Sequence, residues 1–457
     1  MEAEEKSIID EMLEKARKAQ AVVETYSQEQ VDALVKAIGK VIYDHAEELA
    51  KEAVDETHYG RVDSKTYKQQ KACAAAWFYL RDKKSVGVID NDTINGIVTF
   101  AKPAGIVACL TPSTNPTSTA ASNGMNIIKC RNAMIISPHP GAKNVSVHGA
   151  ELIRQALKEA GAPDNLVQII EAPSMALSRE LMAKADVTVA TGGAAMVKSA
   201  YSSGRPSYGV GQGNVQVLVA EDFEDYDDMA VKIVNGRAYD NGIPCTGEQA
   251  IHFPGENYAK LIAAFEKAGA AVIPDEKVAE LPGFIFKENG AINPVHVGMK
   301  PVKIADELGF EIPEDTQVLL FNTPGMSDEN ILRREKLLPV IQLFPYDDFR
   351  QAVADAKANL LWEGAGHTSV IYTNDTEKAE YAGAELPVGR LLVNQAGGAA
   401  SGGNYINGLN PTMSIGCGSW GNNSISENLT YKHLMNTTRL AYYHECTMPP
   451  LDEVWKL

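Results

Sequence analysis

The chain has 457 residues, more than one hydrophobic core usually supports, so two large domains are expected. Hydrophobic residues at 45% and charged residues at 22% exclude a disordered chain, and a net charge of -17 argues against a general role on nucleic acid or anionic membranes. The six cysteines (73, 109, 130, 245, 417 and 446) have no CxxC or nearby CxxH spacing, which speaks against a disulfide framework and a metal site and for a reducing, cytoplasmic setting.

The N-terminus is acidic where a secretory signal would be basic and then apolar, and Ile8, Ile9, Met12, Leu13 and Ala16 recur at helical spacing. Such a helix either packs on the domain or addresses the protein to a shell or partner. No apolar run reaches about 18 residues, so no membrane span is expected. Ser27 and Gln30 have capping-box spacing, and Val31, Leu34, Val35, Ile38, Val41 and Ile42 form a core-facing stripe on the helix that follows. From about residue 84 the period changes: Val86 and Val88, then 97–100, predict two strands around an Asn91-Asp92 turn. Short β-rich runs at 106–110, 134–137, 167–170, 187–190 and 215–219 then alternate with helical patterns such as 145–160 and 193–202. That alternation predicts an α/β fold with a parallel, doubly wound sheet. The second half repeats the theme with strands at 250–253, 317–321, 339–344, 369–373 and 391–394 and helices near 256–268, 347–359 and 376–382. Glycine-rich loops at 397–408 and 416–422 follow.

Gly209-Val210-Gly211-Gln212-Gly213 invites a dinucleotide-fingerprint reading, but a β-branched run follows it where a helix should open. The reading is rejected. Asp240-Asn241-Gly242-Ile243-Pro244-Cys245-Thr246-Gly247 places one cysteine in a constrained turn ahead of a strand at 250–253. A thiolate there would be a strong nucleophile, and a buried, inert cysteine is the alternative.

Seven ordered stretches decide between these: TPSTNPTSTA (111–120), SPHPGAK (137–143), ATGGAAMVKSAYSSGRPSYGVGQGN (190–214), DNGIPCTGEQ (240–249), REKLLPV (334–340), EGAGHTS (363–369) and GCGSWGNNSISENLTYKHL (416–434). With them nearly the whole chain resembles the CoA-acylating branch of the aldehyde dehydrogenase superfamily. The resemblance implies a Rossmann-type cofactor domain (1–83 and 102–237), an α/β catalytic domain (238–435) and a small β flap (84–101 and 436–457) that joins a homodimer or homotetramer. It implies NAD or NADP as cofactor, CoA as co-substrate and no metal.

It further implies roles for single residues. Cys245 is the nucleophile, Asn115 the oxyanion donor with the Cys245 N–H, and His367 an aid to proton transfer at a thiol or a structural hydrogen-bonder. Thr111, Pro112, Ser113, His139, Gly211 and the Thr191-Gly192-Gly193 turn line the dinucleotide cleft, although Val197 stands where the superfamily has a further glycine. Glu335 holds the nicotinamide-side ribose. Gly141 and Lys143 lie near the adenosine end, where Lys143 would offset a 2′-phosphate. Ser113, Thr246 and Gly247 form a small, polar lining for the aldehyde, and Arg205 either grips a carboxylate or sulfonate or makes a structural ion pair.

Hydrolytic relatives carry a glutamate that activates water. The corresponding stretch here, Gly209 to Gln212, has no carboxylate, and Ile243 and Gln249 replace a glutamine and an arginine near the nucleophile. Without a positioned base, thiolysis by CoA outruns hydrolysis. The expected reaction is reversible conversion of a short, polar aldehyde to its acyl-CoA, with succinate semialdehyde the first choice and sulfoacetaldehyde or acetaldehyde the alternatives. A hydrolytic enzyme using Glu248 as base, a nicotinamide-independent cysteine acyltransferase and a non-catalytic assembly protein are the rival readings. An alcohol dehydrogenase, fused in some relatives, would here be a separate partner.

Overall fold

A computed structural model describes residues 7–443 and 449–456; Cys446 and part of the C-terminal stretch lie outside them. The first helix, Ile8–Val23, is capped by Ser7 and buries Ile9, Ala16, Ala19 and Val23 against the domain. The next, Gln28–Asp44, opens with the full capping box of Ser27 and Gln30, and its stripe is buried except for half-buried Val41. These helices cover a five-stranded parallel sheet in the order Val167–Ile169, Ala133–Pro138, Ile106–Thr111, Val187–Thr191, Ser207–Val210.

A second parallel sheet has seven strands in the order Ala270–Val272, Val318–Asn322, Val340–Tyr346, Glu248–Pro254, Val215–Val219, Gly366–Tyr372, Val388–Val393. Its central strands Val215–Val219 and Glu248–Pro254 are buried at every residue, and the first reads as a near-continuous apolar run broken only by Gln216. Helices such as Tyr226–Ala238, Tyr258–Lys267 and Phe349–Trp362 cover its faces. The α/β expectation holds, with one parallel sheet for each of the two expected large domains. Among the described residues no helix is long and apolar enough to cross a membrane.

Two expectations change. Val215–Val219 pairs with Glu248–Pro254 and Gly366–Tyr372, so the boundary between the two sheets falls at 211–214 and not at 237. A fully buried strand carries no mark of which sheet it joins. The flap is a three-stranded antiparallel sheet of Val88–Asp92, Ile97–Pro103 and Met435–Ala441. Its hairpin turn is at 93–96: Asn91 and Asp92 pair with Val98 and Ile97, Asp92 Oδ1 accepts from the N–H groups of Ile94 and Asn95, and Gly96 takes φ +65°. The short strands Ser207–Val210 and Ala270–Val272 had no expectation.

Candidate active site

In the five-stranded sheet the chain runs outward from Ile106–Thr111 through Ala133–Pro138, then resumes on the other side at Val187–Thr191. The strand order therefore reverses between Ile106–Thr111 and Val187–Thr191. Ligands of open α/β sheets bind beyond the strand ends at such a reversal. Thr111, Pro112 and Ser113 follow one of these strands, and Thr191, Gly192 and Gly193 end the other. Facing them are segments that lead into strands of the larger sheet, Gly211 to Asn214, Cys245 and Glu335, and His367 at the start of strand Gly366–Tyr372. Between the two sets lies a cavity of about 1230 Å³, lined among others by Thr111, Ser113, Asn115, His139, Gly193, Gly211, Cys245, Thr246 and Glu335. It exceeds the roughly 300–1,000 Å³ of ordinary small-molecule pockets, so it has room for more than one small molecule.

The loop that carries Cys245 is bent by three successive left-handed residues, Asp240 (φ +52°), Asn241 (φ +54°) and Gly242 (φ +74°). Asp and Asn tolerate this region, whereas a Cβ on Gly242 would run into the Leu338-Pro339 backbone. Asp240 Oδ1 accepts from Arg61 N at 2.8 Å, and Oδ2 accepts from Lys65 Nζ at 2.9 Å and Lys68 Nζ at 2.8 Å. That buried cluster ties the loop to helix Val62–Leu80. On the other side a Cβ on Gly213 would overlap the Cys245 carbonyl, so the 211–214 link packs directly on the nucleophile's backbone. Cys245 itself is partly exposed to the cavity.

His367 is fully buried, with Nε2 3.2 Å from Cys245 Sγ and Nδ1 3.1 Å from Thr368 Oγ1. Burial, and then the Arg390 guanidinium, push the imidazole down to about 3, so it stays neutral. Burial, and then Glu335 and Cys417, push the Cys245 thiol up to about 12. The resting pair is a neutral thiol against a neutral imidazole.

Asn115 precedes helix Pro116–Lys129 and lines the cavity. Its Oδ1 accepts from Lys68 Nζ, and its Nδ2 donates to Thr114 Oγ1 at 3.2 Å. Lys68 thereby fixes which amide atom is the donor. One amide hydrogen remains for a substrate oxygen.

On the cofactor side, Thr111 Oγ1 is buried without a hydrogen-bond partner among the described residues, and a Cβ on Gly193 would meet open space ahead of helix Ala194–Tyr201. An orphaned hydroxyl and an uncovered helix start suit a pyrophosphate. His139 lines the cavity, with Nδ1 accepting from Gly141 N at 3.1 Å. Glu335 lines it too: its Oε1 accepts from Gly213 N at 3.2 Å, and burial followed by Glu363 raises its carboxyl to about 8. Buried Val197 packs against Gly209, which explains the missing glycine of the 191–197 turn.

Some expected residues lie elsewhere. Arg205 is exposed, outside the cavity lining, and donates from Nε to the Ala183 carbonyl at 3.0 Å, so it grips no substrate anion. Gly247 is buried behind the cavity and bonds to Pro244 O at 3.0 Å; a Cβ there would press on Arg237. Glu248 is buried with Oε1 on Gly397 N at 2.5 Å and does not line the cavity, which removes it as a hydrolytic base. Next to His139, Gly141 lies in the short turn Pro140–Ala142 and Lys143 opens helix Lys143–Glu159, both exposed. The surface cluster Glu48, Glu52 and His148, with ligand-type atoms within 4.8 Å, is also outside the cavity.

Sequence reasoning missed Lys65, Lys68, Asp240 and Arg390, and the partner of Gln249, which accepts from Arg237 Nη2 at 3.1 Å. Only the three-residue spacing of Lys65 and Lys68 could have drawn notice.

The family described as "Aldehyde dehydrogenase family" matches residues 1–280. The chain is 49% identical to a succinate-semialdehyde dehydrogenase (acetylating) of Clostridium kluyveri, over 98% of each chain. An acetylating aldehyde dehydrogenase from Geobacillus thermoglucosidasius superposes with a TM-score of 0.92 at 35% identity, covering 97% of each chain. A Rhodopseudomonas palustris propionaldehyde dehydrogenase with bound CoA and an acylated cysteine superposes with a TM-score of 0.84 at 26% identity, covering 95% of this chain and 97% of that one. A reversed-order nucleotide-type sheet facing a cysteine, an asparagine donor and a buried carboxylate accords with these likenesses: the chain belongs to the aldehyde dehydrogenase family.

Proposed function

We propose that this enzyme interconverts a short-chain aldehyde and its acyl-CoA, with NAD or NADP as cofactor and Cys245 as the acyl carrier. One observation carries the reading. Among the described residues Glu335 is the only carboxylate lining the cavity, it is engaged by Gly213 N, and the group that touches the Cys245 sulfur is the neutral imidazole of His367. Water needs a positioned base to attack a thioester quickly, whereas a thiol needs much less help. The names of the acetylating relative from Clostridium kluyveri and the CoA-bound structure from Rhodopseudomonas palustris support the same chemistry. Succinate semialdehyde is the first-choice substrate.

The chain's own groups act as follows. Cys245 Sγ attacks the aldehyde carbon as its proton moves to His367 Nε2, and the new oxyanion accepts from Asn115 Nδ2 and the Cys245 N–H. A bound nicotinamide dinucleotide, held by Thr111, the 191–193 turn and Glu335, supplies the hydride acceptor. Loss of its hydride to that acceptor turns the tetrahedral adduct into an acyl-Cys245 thioester, and His367 Nε2 releases the proton it took to solvent, leaving the imidazole neutral again. The CoA thiol then attacks that carbonyl, its proton passes by way of His367 Nε2 to the departing Cys245 sulfur, and the oxyanion again rests on Asn115. Thioester exchange leaves the sequence reversible. In reverse, the aldehyde formed would feed a separate alcohol dehydrogenase. The flap, with Ile94, Leu440 and Tyr442 exposed beside its strands, is the surface for pairing with a second copy.

The test follows NAD(P)H absorbance with succinate semialdehyde, with CoA present or omitted. A steady rate that needs CoA and disappears in Cys245→Ala is expected. Equal rates without CoA would make water the acyl acceptor and overturn the reading.

A further inference from the structure

Four cationic side chains line the cavity: Lys68, Lys71, Lys232 and Arg334. Three already face an anion, namely Lys68 on Asp240 at 2.8 Å, Lys232 on Asp228 at 2.5 Å and Arg334 on Glu363 at 2.6 Å. Lys71 has no carboxylate partner among the described residues. Its Nζ donates to the Ala399 carbonyl at 3.1 Å, and the Tyr67 ring centroid is 5.8 Å away. It is half-buried, and desolvation lowers its pKa, so the ammonium lacks the counter-charge that would favour it there.

Its place on the wall matters as much as its charge. Lys68 and Lys71 are three residues apart on helix Val62–Leu80, so their stems share one face about 5–6 Å apart. Lys68 Nζ touches the Asn115 amide that receives the substrate oxygen, which puts Lys71 roughly one helical turn farther along the wall. Opposite its ammonium is the 396–403 segment, which Thr246, next to the nucleophile, joins through Gly398 O at 3.5 Å. None of these residues belongs to the strand ends assigned to the dinucleotide.

We propose that Lys71 receives an anionic group at the far end of the aldehyde and so sets a preference for short aldehydes that carry a carboxylate or sulfonate. The inference rests on the acylating aldehyde dehydrogenase reading above. Two methylenes separate the carbonyl of succinate semialdehyde from its carboxyl carbon, a span of about 4 Å. That matches the step of about one helical turn between the Lys68 and Lys71 stems. An ammonium has three donors, of which Ala399 takes one, so two remain for a carboxylate. With Arg205 outside the cavity, Lys71 is, among the described residues, the cavity-lining cation free for this task.

The full-length enzyme, its Lys71→Met variant and its Lys71→Arg variant are assayed with CoA and saturating NAD(P)+. The readout is kcat/KM for succinate semialdehyde divided by that for butanal, which has the same carbon count and no charge. Loss of one charged hydrogen-bonding partner should lower this ratio about 10- to 100-fold in Lys71→Met, mostly through KM. Lys71→Arg should keep the ratio within about threefold, since the charge remains. Sulfoacetaldehyde separates the two anions: a loss confined to it, or confined to the carboxylate, names which one Lys71 serves. A wild-type ratio near one, or an unchanged ratio in Lys71→Met, overturns the proposal and leaves the acylating reading standing. Absence of CoA-dependent NAD(P)H with every aldehyde overturns both.

Discussion

Replacing Lys68 with Met keeps the length of the stem and removes the ammonium, which acts on two neighbours with unequal consequences. Asp240 keeps Arg61 N at 2.8 Å and Lys65 Nζ at 2.9 Å, so it is not left bare. The stability loss should be about 1–3 kcal/mol for one charged hydrogen bond, short of the ~3–5 kcal/mol of an uncompensated buried charge. For Asn115 the loss is larger in effect, because Lys68 is the partner that pins Oδ1, and Thr114 Oγ1 at 3.2 Å holds only one amide hydrogen. The amide can then turn its donor away from the substrate oxygen. An oxyanion donor of this kind is worth about 10²–10³ in kcat, so a donor misplaced most of the time should forfeit about 10- to 100-fold. The assay is CoA-dependent NAD(P)H formation at saturation, with thermal unfolding alongside and Asn115→Ala as the reference. The expected double variant is little slower than Asn115→Ala alone, since both changes remove the same donor. If Lys68→Met keeps full kcat while Asn115→Ala loses it, or if the two losses multiply, Lys68 does not orient the amide and the reasoning fails.

Two further predictions concern titration. With the Cys245 thiol pushed up to about 12, its inactivation by iodoacetamide without ligands should quicken about tenfold per pH unit between pH 7 and 9; a plateau below pH 8 would show a thiolate already present at rest. Glu335 is raised from 4.5 to about 8, so its contribution to stability is full below the ordinary carboxylate range and is lost as pH rises towards 8. Glu335→Gln should flatten that decline, with a Tm that falls less than the wild type's between pH 5 and pH 8.5. Parallel Tm curves would mean the carboxyl is not buried as described.

The parts of the site legible in the sequence are those held by local chain geometry. The loop from Asp240 to Gly247 could be read as a constrained turn because Asp, Asn and Gly are the residues that tolerate the left-handed backbone it takes. The rejected fingerprint at 209–213 was also legible: Ser207–Val210 is a strand, and the chain goes straight on into Val215–Val219 with no helix between. Arg205 misled because charge and sequence proximity to a motif say nothing of the direction a side chain faces.

Sequence alone determined the alternation of helices and strands and the stripe from Val31 to Ile42, because periodicity acts over a few residues. Tertiary structure decided which sheet Val215–Val219 joins, since a buried strand looks alike in either. It also decided that Lys65, Lys68 and Asp240, more than 170 residues apart in the chain, share one buried cluster. It put His367 on the sulfur and left Lys71 in the cavity without an anion. Pairing between charges far apart in the chain depends on distances of a few ångströms across the fold, and no local pattern encodes those.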